Sequence, residues 1–167
     1  MVKNKLTGAC FELPTAVDSE VIFDGGSMIT ETDTAGIITY ANRKFREMTG
    51  YSNEELVGSP HSLVCHSDMP KIAFKGMWKT IKNGEIWNGL VKNIRKDGQF
   101  YWVDVTIQPI IDKDTIVGYI ASRKIAEREH IVRMEAQYKD LIVQEVNLNE
   151  MDIVHGLFNA RPLQATY

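Results

Sequence analysis

Between Pro60 and Pro70 the chain reads PHSLVCHSDMP, and four side chains in that run could do chemistry: His61, Cys65, His66 and Asp68. A neutral imidazole is a common axial ligand to haem iron, so either histidine could hold a haem or simply face solvent. Cys65 has only Cys10 as a fellow cysteine, far away in sequence, and this matches neither a metal-ligand spacing nor a disulfide framework. Two reduced thiols are expected. Asp68, just before Met69-Pro70, reads as the N-cap of a helix whose first turn accommodates the proline. Further along stand Trp78 and Trp87, whose indole faces suit stacking on a planar heterocycle or filling a core. Asn93 can both donate and accept, so it matches a ligand edge that presents a carbonyl beside an N–H, or it is a polar outward residue of a strand. Asn42 is placed to cap a helix beginning at Arg43. No G-x-S-x-G, H-E-x-x-H, P-loop or paired-carboxylate context accompanies these groups. The set points to binding a ligand and not to an enzyme.

These side chains need a frame. Met28 to Thr32 and Ile37 to Tyr40 are β-prone runs joined by Asp33-Thr34-Ala35-Gly36, a hairpin turn. From Asn42 the pattern turns helical: Phe45 and Met48 share a face, Gly50 ends the helix, and Ser52 with Glu55 makes a capping box for the next. After Asp68, Ile72, Phe74, Met77, Trp78 and Ile81 form the apolar stripe of a longer helix that should lie against a sheet. Ile86 to Ile94, Gln99 to Ile111 and Thr115 to Arg123 then predict three long antiparallel strands, with turns at Lys96-Asp97-Gly98 and Asp112-Lys113-Asp114. In the middle one, Tyr101, Val103, Val105 and Ile107 alternate with Trp102, Asp104, Thr106 and Gln108, which makes one face apolar.

From Ile125 to Met151 there is no Gly or Pro, and Ile131, Met134, Tyr138, Leu141 and Leu148 recur at helical spacing, interrupted where Glu145 stands in the register. This amphipathic helix packs on its own domain, pairs with a second copy, or docks on a partner. Gly156 and Arg161-Pro162 mark a second short helix and a loose end. The organisation expected is residues 1–27 as an N-terminal cap or linker, 28–123 as the central domain and 124–167 as a helical signalling segment with a tail.

The composition, 44% hydrophobic and 25% charged over 167 residues, is that of one packed domain plus an appendage. A net charge of -3 leaves no basic excess for a phosphate backbone, which excludes nucleic acid as a partner. No apolar run approaches the ~20 residues that span a bilayer, and the N-terminus lacks the apolar core of a signal peptide. A cytoplasmic protein without direct membrane insertion is expected.

Ala41-Asn42, Phe45, Thr49-Gly50-Tyr51-Ser52, Glu54-Glu55-Leu56, Asn93, Lys96-Asp97-Gly98 and Tyr101-Trp102 follow in an order that resembles the PAS sensory domain. Pro60-His61, His66-Ser67-Asp68-Met69-Pro70, Met77-Trp78 and Glu85-Ile86-Trp87-Asn88-Gly89 are most similar to the flavin-binding PAS domains of bacterial aerotaxis and energy-taxis receptors. The resemblance spans about residues 28 to 123. It implies an α+β PAS fold, an antiparallel sheet flanked by short helices with a C-terminal amphipathic helix, enclosing FAD, with FMN and, less readily, haem as alternatives. Under it Trp78 and Trp87 face the ring, Asn93 meets its pyrimidine edge and Asn42 affects flavin binding. Cys65, His66 and Asp68 stand where the family has Arg-His-x-Asp, residues that hold the rest of the cofactor. Cys65 replaces the arginine, so one cationic contact is missing.

Blue-light sensors of the same fold use a cysteine at the position of His61 and a glutamine where this chain has Ile120, so photochemistry through a cysteinyl adduct is not expected. The function implied is redox or energy sensing, with output on another polypeptide: a membrane-bound chemoreceptor or another signalling protein, reached by a homodimer. A cofactor-free PAS interaction module is the alternative.

Overall fold

The computed structural model describes residues 1–155, with side chains through Leu148. Its elements run β1 (Val2–Lys3), β2 (Cys10–Phe11), β3 (Met28–Thr32), β4 (Ile38–Ala41), α1 (Arg43–Thr49), α2 (Asn53–Leu56), a 3-10 turn (His61–Val64), α3 (Lys71–Lys82), β5 (Trp87–Ile94), β6 (Phe100–Asp112), β7 (Thr115–Lys124) and α4 (Arg128–His155). The expected second C-terminal helix falls outside the described residues.

Five strands form one antiparallel sheet in the order β4-β3-β7-β6-β5, which places the first long hairpin beside the last strand. The β6–β7 hairpin closes through Lys113 and Asp114, both at positive φ, the conformation that a tight turn matching strand twist requires. The short helices behave as their sequence dictates. Asn42 Oδ1 accepts the Phe45 amide at the start of α1, Gly50 ends that helix in the left-handed region, and Ser52 with Glu55 completes the capping box of α2.

Strand alternation divides the sheet into two faces. One face carries Tyr101, Val103, Val105 and Ile107 from β6 and Tyr119 and Ala121 from β7, and packs against α1, α2, the 3-10 turn and α3 through Phe45, Leu56, Leu63, Met77, Trp78 and Ile81. The other face is covered at the β5–β6 end by α4. Tyr138 stacks on Trp102 with ring planes 10° apart and donates its hydroxyl to the Leu90 carbonyl at 2.7 Å, and Ile131 is buried beside it. Met134 and Leu141 are half-buried against the core. Of the three places open to the amphipathic helix, its own domain takes Ile131, Met134, Tyr138 and Leu141, while Leu148 stays exposed.

Two local expectations need correction. The N-terminus of α3 is Pro70-Lys71 and Asp68 does not cap it: the Asp68 amide donates to His66 Nδ1 and its carboxylate bonds Lys92. The cap comes from α4, 73 residues on, where the Glu145 carboxylate accepts from the Ile72 amide at 2.8 Å and from the Lys71 amide at 3.3 Å. Ile72 itself is exposed, outside the stripe assigned to it.

The first residues are also structured. β1 pairs with β2, and Asn4 is fully buried, donating to the Val57 carbonyl at 2.9 Å beyond α2.

Candidate functional site

A cavity of about 20 Å³, room for one or two waters, lies between α3 and the helix-facing side of the sheet. Thr30, Thr32, His61, Met77, Trp78, Ile81, Ile107, Tyr119 and Ala121 line it. Trp78 meets Tyr119 edge-on at 5.5 Å between ring centroids, and its Nε1 is buried without a hydrogen-bond partner.

Trp87 opens β5 on the same face, opposite Ile107, a cavity residue. Its ring folds over Gly89. A Cβ at Gly89 would lie 2.6 Å from the indole, so only glycine permits this placement. Asn93 sits three pleats further along that face, fully buried. Its Nδ2 donates to the Tyr101 hydroxyl at 3.3 Å, while Oδ1 has no partner. It is therefore not an outward-facing polar residue. Trp78, Trp87 and Asn93 lie on one side of the sheet, although of the three only Trp78 lines the cavity, and Trp78 and Asn93 carry buried polar atoms without partners. Such atoms cost about 1–3 kcal/mol each when nothing meets them. The free Asn93 Oδ1 acceptor, on the same side of the sheet as two indoles, suits a flat heterocycle that presents an N–H on its edge.

His66 and Asp68 lie elsewhere. The loop from Cys65 to Met69 runs along the free edge of β5, with a bridge between Cys65 and Asn93 and a bond from the His66 amide to the Lys92 carbonyl at 3.3 Å. Lys92 points to the opposite face from its neighbour Asn93; its Nζ bonds Asp68 Oδ2 at 2.7 Å and lies 4.2 Å from the centre of the Phe100 ring. Burial, with the Lys92 charge second, holds the His66 imidazole below its ordinary pKa, although the Asp68 carboxylate pulls the other way. Burial raises the Asp68 carboxyl, but the Lys92 hydrogen bond and charge outweigh it and leave its pKa low. Cys65 is half-buried, and burial pushes its thiol up to about 12, so it stays protonated. Lys92 supplies a cation beside Asp68, and its strand position gave no hint of that partnership.

Asn42 is occupied structurally. Besides the Phe45 amide, its Oδ1 accepts from the Ile29 amide at 3.1 Å, and Nδ2 donates to the Ser27 carbonyl at 2.9 Å. It ties β3 to α1 and does not line the cavity.

Sequence reasoning missed a buried charged group that bonds two residues of the cavity lining. Arg123 on β7 donates through Nη2 to His61 Nε2 at 2.9 Å and to Thr30 Oγ1 at 3.1 Å. Because arginine only donates, His61 Nε2 is the acceptor and the ring proton sits on Nδ1. Burial, reinforced by the Arg123 charge, lowers the His61 pKa to about 3, which keeps the ring neutral. Neither His61 nor His66 faces solvent. The inward positions of β7 are Tyr119, Ala121 and Arg123, whose contacts lie on the helix side, so Ile120 belongs to the other face and is not the residue of this strand that a core ligand would meet. The period of two through this strand, with arginine at an inward position, was the available signal.

A family model described as PAS fold matches residues 38–122. The aerotaxis receptor of Escherichia coli is 44% identical over 118 residues, which is 71% of this chain and 23% of that protein. The nitrogen fixation regulatory protein of Klebsiella pneumoniae is 27% identical over 165 residues, 92% of this chain and 33% of the relative. The chain thus spans a quarter to a third of these relatives' lengths. Among solved structures, the LOV domain of the Erythrobacter litoralis blue-light activated histidine kinase superposes with a TM-score of 0.55 at 25% identity, covering 60% of this chain and 96% of that one. The light-state LOV domain of Aureochrome1 gives 0.57 at 23%, covering 72% and 91%. With its sheet order, its helix-covered cavity and the match over residues 38–122, this chain belongs to the PAS family and carries a PAS domain related to that of the aerotaxis receptor.

Proposed function

We propose that this protein is a redox or energy sensor that holds a flavin, FAD by preference, in the core of its PAS domain and signals to a separate chemoreceptor or similar protein. The observation that carries the reading is the pair of buried polar atoms without partners, Asn93 Oδ1 and Trp78 Nε1, on the helix-covered side of the sheet. The likeness to an aerotaxis receptor supports it.

In this reading Asn93 orients the ligand's polar edge, Trp78 and Trp87 enclose its faces, and Tyr101 holds the Asn93 amide in place. The flavin supplies reversible electron uptake. The walls must part to admit a tricyclic ring, since the cavity has room for only a water or two. The movable wall is α3, which carries Met77, Trp78 and Ile81 and is held at its N-terminus by Glu145 of α4. A displacement of α3 therefore pulls on the C-terminal helix, and a few kcal/mol between two arrangements suffices for a switch. A cytoplasmic setting and a homodimer complete the proposal, with the exposed Val132, Val143, Val146 and Leu148 as the apolar surface left on α4.

The test is the cofactor itself: purify the protein, record its absorption, release the ligand and weigh it. FAD or FMN is expected, and Trp87→Ala or Asn93→Ala should lower occupancy more than fold stability. A Soret band would mean haem. A colourless protein that also fails to take up added FAD or FMN would leave a cofactor-free interaction module, the reading that the small cavity favours.

A further inference from the structure

Arg123 is 4% exposed, and the groups that its guanidinium bonds or stacks on among the described residues are neutral. Nη2 bonds the His61 imidazole and the Thr30 hydroxyl, Nη1 donates to the Ala121 carbonyl at 3.3 Å, and the ring of Phe45 lies 4.7 Å from the guanidinium carbon. Nε has no partner. Among the described residues no carboxylate forms an ion pair with it. A guanidinium does not give up its proton in a protein, so this is a full positive charge buried without a counter-charge, an arrangement that costs stability unless something opposite in sign arrives. A hydrogen-bonding tie between β3, the 3-10 turn and β7 could be made by a neutral side chain without that cost. Three of its contacts, Thr30, His61 and Ala121, line the cavity, so the charge stands immediately behind the wall; Ile107 flanks Ala121 on the sheet, and α3 contributes Met77, Trp78 and Ile81.

Low surrounding polarity lets such a charge act strongly across the cavity. A neutral ligand gains little from it. A ligand that acquires negative charge inside the cavity gains much more.

Resting on the flavin reading, we propose that Arg123 is the fixed counter-charge for the negative charge that the flavin ring gains on reduction, and so sets the level at which this sensor switches. The ring becomes a monoanion either by accepting one electron, or by accepting two electrons and one proton, the equivalent of a hydride from a reduced nicotinamide. In both cases the net change is one negative charge, and Arg123 favours the reduced over the oxidised state. His61 and Thr30 hold the guanidinium in position and add no charge of their own.

Reductive titration with dithionite against a reference dye, on flavin-loaded protein, tests this. Arg123→Gln keeps hydrogen-bond donors for His61 and Thr30 but removes the charge, and should lower the reduced-to-oxidised preference at least tenfold, a fall of about 30 mV for a two-electron couple or about 59 mV for a one-electron couple. Arg123→Lys retains the charge and should stay closer to the parent than to the glutamine variant. Thr30→Asp leaves the arginine in place and neutralises it, so it should shift the potential in the same direction, and it carries the test if the glutamine variant does not fold. Flavin bound with an unchanged potential in Arg123→Gln, or in Thr30→Asp where that variant stands in, reduces Arg123 to a structural tie and overturns the proposal alone. A parent protein that binds no flavin overturns both this proposal and the sensor reading.

Discussion

The carboxylate of Glu145 accepts the amide of Ile72 at 2.8 Å, so the first turn of α3 is capped from the far end of α4. Pro70 at the N-cap position offers no side-chain acceptor, and the first amides of a helix have no partner within it. The cavity wall formed by α3 and the C-terminal helix are thereby tied at one point.

Glu145→Ala is expected to cost about 1 kcal/mol, the usual penalty for a lost cap. The loss should show as faster amide hydrogen exchange at Lys71 and Ile72 and in the last described turns of α4, while β5 to β7 keep their protection. Unchanged exchange at both helices would mean that this tie is not formed in solution.

Tyr138→Phe removes the hydroxyl that bonds the Leu90 carbonyl but leaves the stack on Trp102. A loss of about 0.5–1.5 kcal/mol in urea unfolding is expected. Tyr138→Ala should cost more, about 3–5 kcal/mol, because it also opens a cavity under α4. If the alanine variant unfolds at the parent's urea concentration, α4 does not rest on the sheet.

His61 gives the fold a specific acid sensitivity. Its folded pKa, near 3, lies below the value of 6.5 for an unperturbed imidazole, so the unfolded chain binds the proton more readily. The contribution is complete above about pH 6.5 and is lost as pH falls from there toward 3, at up to about 1.4 kcal/mol per unit. His61→Gln keeps an acceptor for Arg123 and removes the titration. Its stability relative to the parent should therefore improve steadily between pH 6.5 and 4, measured by urea midpoints across that range. A constant difference would show that His61 is protonated in the fold.

Cys65 should be photochemically silent. Burial keeps its thiol protonated, and a thiol reacts as its thiolate. Blue illumination of flavin-loaded protein is expected to give no reversible bleaching, and Cys65→Ala should leave the spectrum as it was. Bleaching that recovers in the dark and disappears in the alanine variant would contradict this.

Local rules were enough for most elements. The alternation through Tyr101, Val103, Val105 and Ile107 marked the inward face of β6, the capping box of Ser52 and Glu55 marked α2, and Gly50 marked the end of α1. Each of these depends on residues within a few positions of one another, where periodicity and capping chemistry act directly. Trp78, Trp87 and Asn93 were also visible, because their order along the chain resembles a family pattern and strand alternation sends the last two to one face.

Partnerships across the fold were not legible. Asp68 looked like a helix cap because the three residues after it permit one, yet Lys92, on a strand 24 residues later, offers its carboxylate a charged partner and the cap passes to Glu145. Glu145 itself read as an interruption of an apolar stripe. Ile131 and Tyr138 signalled an amphipathic face, but whether that face meets a second copy or its own sheet depends on where the chain returns after β7. The same holds for Arg123 and His61, 62 residues apart. Chain sequence determines which side chains can form a strand, cap a helix or bury a face. Only closing the sheet in the order β4-β3-β7-β6-β5 decides which charges meet, because long-range electrostatic and hydrogen-bond partners depend on separation in space and carry no fixed spacing along the chain.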